Sequence, residues 1–114
     1  MNTDKHVATT DRALLEAAAK AAGLSVAFND HENPGIWGEW RGLPQWEDWN
    51  PLTDDGDALR LAVKLKIEIW PDVSMVTAAG DGAWEEVDIG IGKYTREEAT
   101  RRAIVRAAAA MAVG

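Results

Sequence analysis

Two alanine-rich segments, DRALLEAAAKAA near the start and TRRAIVRAAAA near the end, constrain this chain more than any other feature. Alanine favours the helix and adds no bulk, so a helix that buries alanines must lie close to whatever covers it. The first helix is expected over residues 11–22, with Thr10 or Asp11 as N-cap and Gly23 where a left-handed C-cap is needed. Leu14, Ala17, Ala18 and Ala21 recur at helical spacing as the buried stripe, while Arg12, Glu16 and Lys20 make the solvated one. The last helix opens on a capping box from Thr95 to Glu98, and its packing stripe is Thr100, Ala103, Ile104, Ala107, Ala108 and Met111. A sheet is the flat partner that such stripes suit.

Between these helices the hydrophobic period falls to two, the signature of strands. Residues 24–28 are short and apolar, and in 36–41 Trp37, Glu39 and Arg41 stand opposite Ile36, Gly38 and Trp40. Residues 42–51 hold two prolines and read as a loop. Thr53, Asp54 and Asp55 open a second helix that runs through Leu65, with Leu59, Ala62 and Val63 inward and Arg60 and Lys64 outward. In LKIEIW, Leu65, Ile67 and Ile69 face the core until Pro71 stops the strand. Residues 74–79 and 84–91 flank AGDGA, whose Asp81 and Gly82 signal a hairpin, and Val87, Ile89 and Ile91 form the inward row. The order α-β-β-α-β-β-β-α, with no internal repeat in the residues, predicts an α+β fold. It has three helices and a mainly antiparallel sheet of about four to five strands. Residues 1–9 are expected to be a flexible tail and residues 10–114 a single domain.

The absence of cysteine excludes disulfides, a thiolate nucleophile and a cysteine-ligated zinc site. The run MNTDKHVATTD lacks the apolar core of a signal peptide, and no stretch approaches a membrane span, which predicts a cytoplasmic protein. The net charge of −7 is concentrated: residues 29–57 hold eight acids and one base, and the remainder is balanced. Such a field disfavours attraction to phosphate backbones.

The stretch WNPLTDDGDALRLAVKL, with the opening TDRALLEAAAKAAG and the closing TRRAIVRAAAA at matching spacing, resembles the phage ABA sandwich domain family of small bacteriophage proteins. The middle block is the specific part, since alanine-rich helix ends are common. The resemblance implies an α/β/α sandwich encoded in a phage or prophage, and it implies no activity. Ala13 departs from the capping box that a glutamate would complete with Thr10, which weakens that cap only.

Five groups of residues invite a chemical reading. Asp54, Asp55 and Asp57 are of the type that binds hard cations, but DDGD lacks the alternating ligands of a calcium loop, and acids at a helix start are explained by capping and the dipole. His6 and His31 have no serine pattern or paired histidine beside them, and GIGK at residues 90–93 lacks the glycine spacing of a phosphate loop. Arg101, Arg102 and Arg106 share one side of the last helix, where Glu97 and Glu98 stand at the spacing for intrahelical pairs with the first two. Trp37, Trp40, Trp46 and Trp49 crowd an acidic segment, either as a lid on the sheet or as anchors of a contact surface.

The resulting expectation is a noncatalytic bacteriophage accessory protein of the host cytoplasm, not an enzyme, that binds a protein partner. It needs no cofactor or metal and contacts neither nucleic acid nor membrane directly. The candidate partner-binding residues are Trp37, Trp40, Trp46, Glu47, Asp48 and Trp49. Two alternatives stand beside it: an acidic inhibitor of a host nucleic-acid enzyme or defence complex, and a metal-dependent hydrolase using Asp54, Asp55 and Asp57.

Overall fold

A computed structural model describes residues 10–112, with the side chains of Glu39 and Trp40 outside that description. The expected tail at residues 1–9 and His6 lie outside the described residues. The elements are α1 (Asp11–Ala22), β1 (Val26–Phe28), β2 (Pro34–Trp40), β3 (Leu43–Asp48), α2 (Asp55–Leu65), β4 (Glu68–Pro71), β5 (Met75–Gly80), β6 (Ala83–Asp88) and α3 (Arg96–Met111). The α+β class, the three helices and the antiparallel pairing are as expected. The strands are divided between two three-stranded sheets, ordered β1-β2-β3 and β4-β5-β6.

The strand missing from the expectation is β3, which holds Pro44 and lies in the stretch expected to be a loop. Pro44 is tolerated because β3 is an edge strand, on which an absent N–H need not cost a ladder bond. The chain reaches β3 through Arg41 and Gly42, both left-handed at φ 53° and 81°, a pair matched by Asp81 and Gly82 at 46° and 85° in the expected β5–β6 hairpin. Two left-handed residues in succession give the turn whose twist suits paired strands.

This correspondence extends through the fold. The elements α1-β1-β2-β3 and α2-β4-β5-β6 repeat one order, helix followed by antiparallel meander. Each helix ends on a left-handed residue, Gly23 (φ 74°) or Lys66 (φ 57°). The N–H groups of Leu24 and Ile67 then reach back to the carbonyls of Ala19 and Ala62, closing the same C-terminal motif twice. Leu15, Ala18 and Ala19 before the first cap, and Ala58, Leu61 and Ala62 before the second, are buried at equivalent positions. The repetition is one of topology and burial, and the side chains that occupy it differ.

At the centre, α3 packs against β5 and β6 on one side and receives α1 and α2 on the other. Being covered from two directions, it buries Ala99, Ala103, Ile104, Val105, Ala107, Ala108 and Ala109, more than one stripe. The alanines of α1 therefore meet a helix and not a sheet, and their buried face is Leu15, Ala18, Ala19 and Ala22, rotated by one residue from the expected stripe. In α2 the buried face is Ala58, Leu61 and Ala62, leaving Leu59 and Val63 exposed. Both faces of α2 have helical spacing, and the one with two alanines allows the closer approach to α3.

Arg101 and Arg102 also depart from the expected intrahelical pairs. Arg101 donates to the Leu52 carbonyl at 2.9 Å and to Asp55 at 2.6 Å, and Arg102 donates to Asp11 at 3.0 Å while lying over the Tyr94 ring. Asp55 and Asp11 are the first residues of α2 and α1, so two adjacent arginines fasten both helices to α3 at matching points. Beyond β6, Gly90 and Gly92 interrupt the expected inward row, so that Ile89 is half-buried and Ile91 fully exposed.

Two outcomes follow for stability. Ala18→Glu and Ala107→Glu place a charge at fully buried positions and are expected to cost about 3 kcal/mol each, roughly 10 °C in melting temperature, whereas Ala110→Glu at an exposed site stays close to the parent. The capping box at Thr95 holds Glu98 below the usual carboxylate range, through the Thr95 N–H first and its side chain second. A depressed folded pKa contributes stability above the unfolded value, lost as pH falls through the folded one. The melting-temperature gap between the parent and Glu98→Ala is therefore expected to be full at neutral pH and to close below pH 4.5, the ordinary value.

Candidate partner-binding surface

Hairpin β2–β3 carries most of the expected binding residues on the edge of the first sheet. Its register sets Trp37 opposite Trp46 and Gly35 opposite Asp48, so these share one face, while Ile36 and Glu47 share the other. The two indoles meet edge to face with centroids 5.4 Å apart. Trp37 is 56 % exposed, and Trp46 is half-buried because its ring lies over Gly35. A Cβ on Gly35 would collide with that ring, so the absent side chain is what admits the indole. Trp40 pairs with Leu43 through the backbone, and its side chain lies outside the described residues.

Trp49, expected among the contact residues, is only 5 % exposed and belongs to the core. It forms part of a cleft of about 570 Å³ between the first sheet and α2, whose apolar wall includes Leu24, Ile36 and Leu61. Glu47 and Asp48 stand on one side of this cleft and Arg60 and Lys64 on the other. The Arg60 guanidinium is raised above its ordinary pKa, chiefly by its hydrogen bond to Asp57 and further by the fields of Asp57, Asp54 and Glu47. The tryptophans thus divide between the two expected roles: Trp49 fills the core, and Trp37 is presented to solvent.

The acidic charge of residues 29–57 is partly consumed within the molecule. Glu32 is bonded to Arg12 at 2.8 Å, Asp57 to Arg60 at 2.6 Å and Asp55 to Arg101 at 2.6 Å. Asp54 caps α2 by accepting from the Asp57 N–H, and the buried Asp57 also accepts from the Asn50 N–H. The three aspartates of DDGD therefore turn to different partners, and no cluster of metal-ligating side chains occurs among the described residues. Glu47 and Asp48 remain exposed at the end of β3. His31 lies exposed in the β1–β2 turn, its N–H bonded to Asn29.

A second tryptophan pair was not singled out by the sequence reasoning. Trp70 and Trp84, 49 % and 58 % exposed, meet with centroids 5.4 Å apart on the second sheet. Strand parity was the available signal, because each lies one or three residues from an inward position, Ile69 or Val87. Comparison with protein-family models, curated proteins and solved structures gives no match. No helix among the described residues is long and apolar enough to cross a membrane.

The contact between Gly35 and Trp46 is open to direct measurement. Gly35→Ala is expected to cost about 1–3 kcal/mol in urea unfolding by forcing ring or strand to shift. It should also move the Trp46 indole resonance while that of Trp49 stays in place.

Proposed function

We propose that this protein is a noncatalytic, phage-encoded accessory protein that acts in the host cytoplasm by binding another protein through hairpin β2–β3. The observation that carries the reading is Trp37, half-exposed and propped edge-on by Trp46, with the exposed carboxylate of Asp48 on the same face of the hairpin and that of Glu47 on the other. An indole held in one orientation loses little conformational freedom on binding, which is what makes such residues anchors of interfaces. Carboxylates on both faces of the hairpin favour a basic partner and speed encounter. The phage origin rests on the resemblance of WNPLTDDGDALRLAVKL and its flanking helices to the phage ABA sandwich domain family. Internal pairing of Glu32, Asp55 and Asp57 weakens the case for a wholly acidic nucleic-acid mimic, so the protein-binding reading is preferred to the inhibitor.

The test begins with affinity capture from infected host cells and proceeds to binding kinetics with the recovered protein. Association is expected to slow as salt shortens the Debye length from about 30 Å to about 8 Å, and to slow further when Glu47 and Asp48 are both changed to Lys. Trp37→Ala is expected to speed dissociation by roughly tenfold or more, with Glu97→Lys as the neutral control. Kinetics indifferent to salt, to both charge reversals and to Trp37→Ala would refute the reading.

A further inference from the structure

The second sheet turns one face to α3 and leaves the other open. Its register places Trp70, Thr77 and Glu86 in one row across β4, β5 and β6, and Glu68, Ala79 and Trp84 in the next. Val76, Ala78 and Val87 occupy the opposite, buried face. On the open side the two tryptophans hold one diagonal of a square and the two glutamates the other. Thr77 and Ala79 are small enough at its centre for the rings to meet above them. Trp84 donates its indole N–H to Glu86 at 3.2 Å, which fixes the ring and the carboxylate together. Asp88 lies further along the same face, already paired with Lys93. No strand position on this face is basic, and Lys66 stands only at its rim, beyond the start of β4.

We propose that this face binds an arginine- or lysine-bearing segment of a partner protein. Two half-exposed indoles offer electron-rich faces, and carboxylates flank them on both sides, so aromatic and Coulombic attraction converge on the same cation. Arginine suits the arrangement best, because its planar group stacks on an indole while its edge donates to carboxylates. Phosphate-bearing ligands are opposed by Glu68 and Glu86, and a purely apolar segment would strip water from both without replacing their hydrogen bonds. The surface belongs to the second αβββ unit and is independent of hairpin β2–β3.

The experiment uses the ¹⁵N-labelled full chain and follows indole N–H resonances, assigned with Trp70→Phe and Trp84→Phe. The probe is a capped peptide alternating arginine and serine, and the comparison peptide carries glutamate in place of arginine. The arginine peptide is expected to move Trp70 and Trp84 saturably and to leave Trp49 unmoved. Glu68→Gln with Glu86→Gln is expected to weaken that binding about fivefold or more, at an unchanged melting temperature. The inference is overturned if the shifts are confined to Trp37 and Trp46, or if the glutamate peptide acts equally. It also falls if the double glutamine variant binds as well as the parent, or if dilution alone moves the same resonances, which would assign the face to a second copy of the chain.

Discussion

Where α1 crosses α3, alanine meets the opposing helix, and the distance between the two backbones is set by how little lies between them. Helix pairs pack at separations governed by the side chains in contact, and Ala18, Ala19 and Ala22 on α1 with the alanine-rich buried surface of α3 allow a close approach. That contact leaves the rest of α3 for α2 and for the second sheet. The arginine pair then finishes the arrangement, with Arg101 and Arg102 tying the first turns of α2 and α1 to the same stretch of α3. Both arginine side chains are largely buried while their aspartate partners are exposed, so these bonds also cover the ends of the helix–helix contacts.

The two αβββ units use this centre differently. The second lays its meander directly on α3, so its inner face is core and its outer face is open. The first is held through α1, by partly buried Val26, Phe28 and Ile36 and by Arg12, which lies 4.3 Å over the Phe28 ring while bonding Glu32. Each sheet ends up displaying a tryptophan pair, but by unlike means: directly opposed residues over a glycine in one, a diagonal over threonine and alanine in the other. Equivalent topology has thus produced two surfaces with different chemistry.

Much of this was legible because the signals are local. The capping box at Thr95 and Glu98, the Asp81–Gly82 turn, the Gly23 cap and the in–out parity of residues 67–69 depend on neighbours in the chain, and all appear in the structure. What failed was non-local. Choosing between two helical stripes on α2, or between stripes one residue apart on α1, depends on where α3 arrives. Assigning β3 depends on knowing that Pro44 lies at an edge. For the candidate surface, clustering along the chain located the hairpin, yet burial separated Trp49 from Trp37, and the chain gives no local sign of that difference.

The central helix also follows the other described elements in chain order. Both αβββ units leave the ribosome before the surface that will bury their helices exists, so α1 and α2 emerge with alanine and leucine faces uncovered. At the usual pace of synthesis, roughly 5–20 residues per second, the interval between the completion of α1 and that of α3 is about 5–20 seconds. Cooperative folding is thereby deferred until the chain through Met111 has been made. For those seconds the future core is a surface that other molecules in the cell can reach.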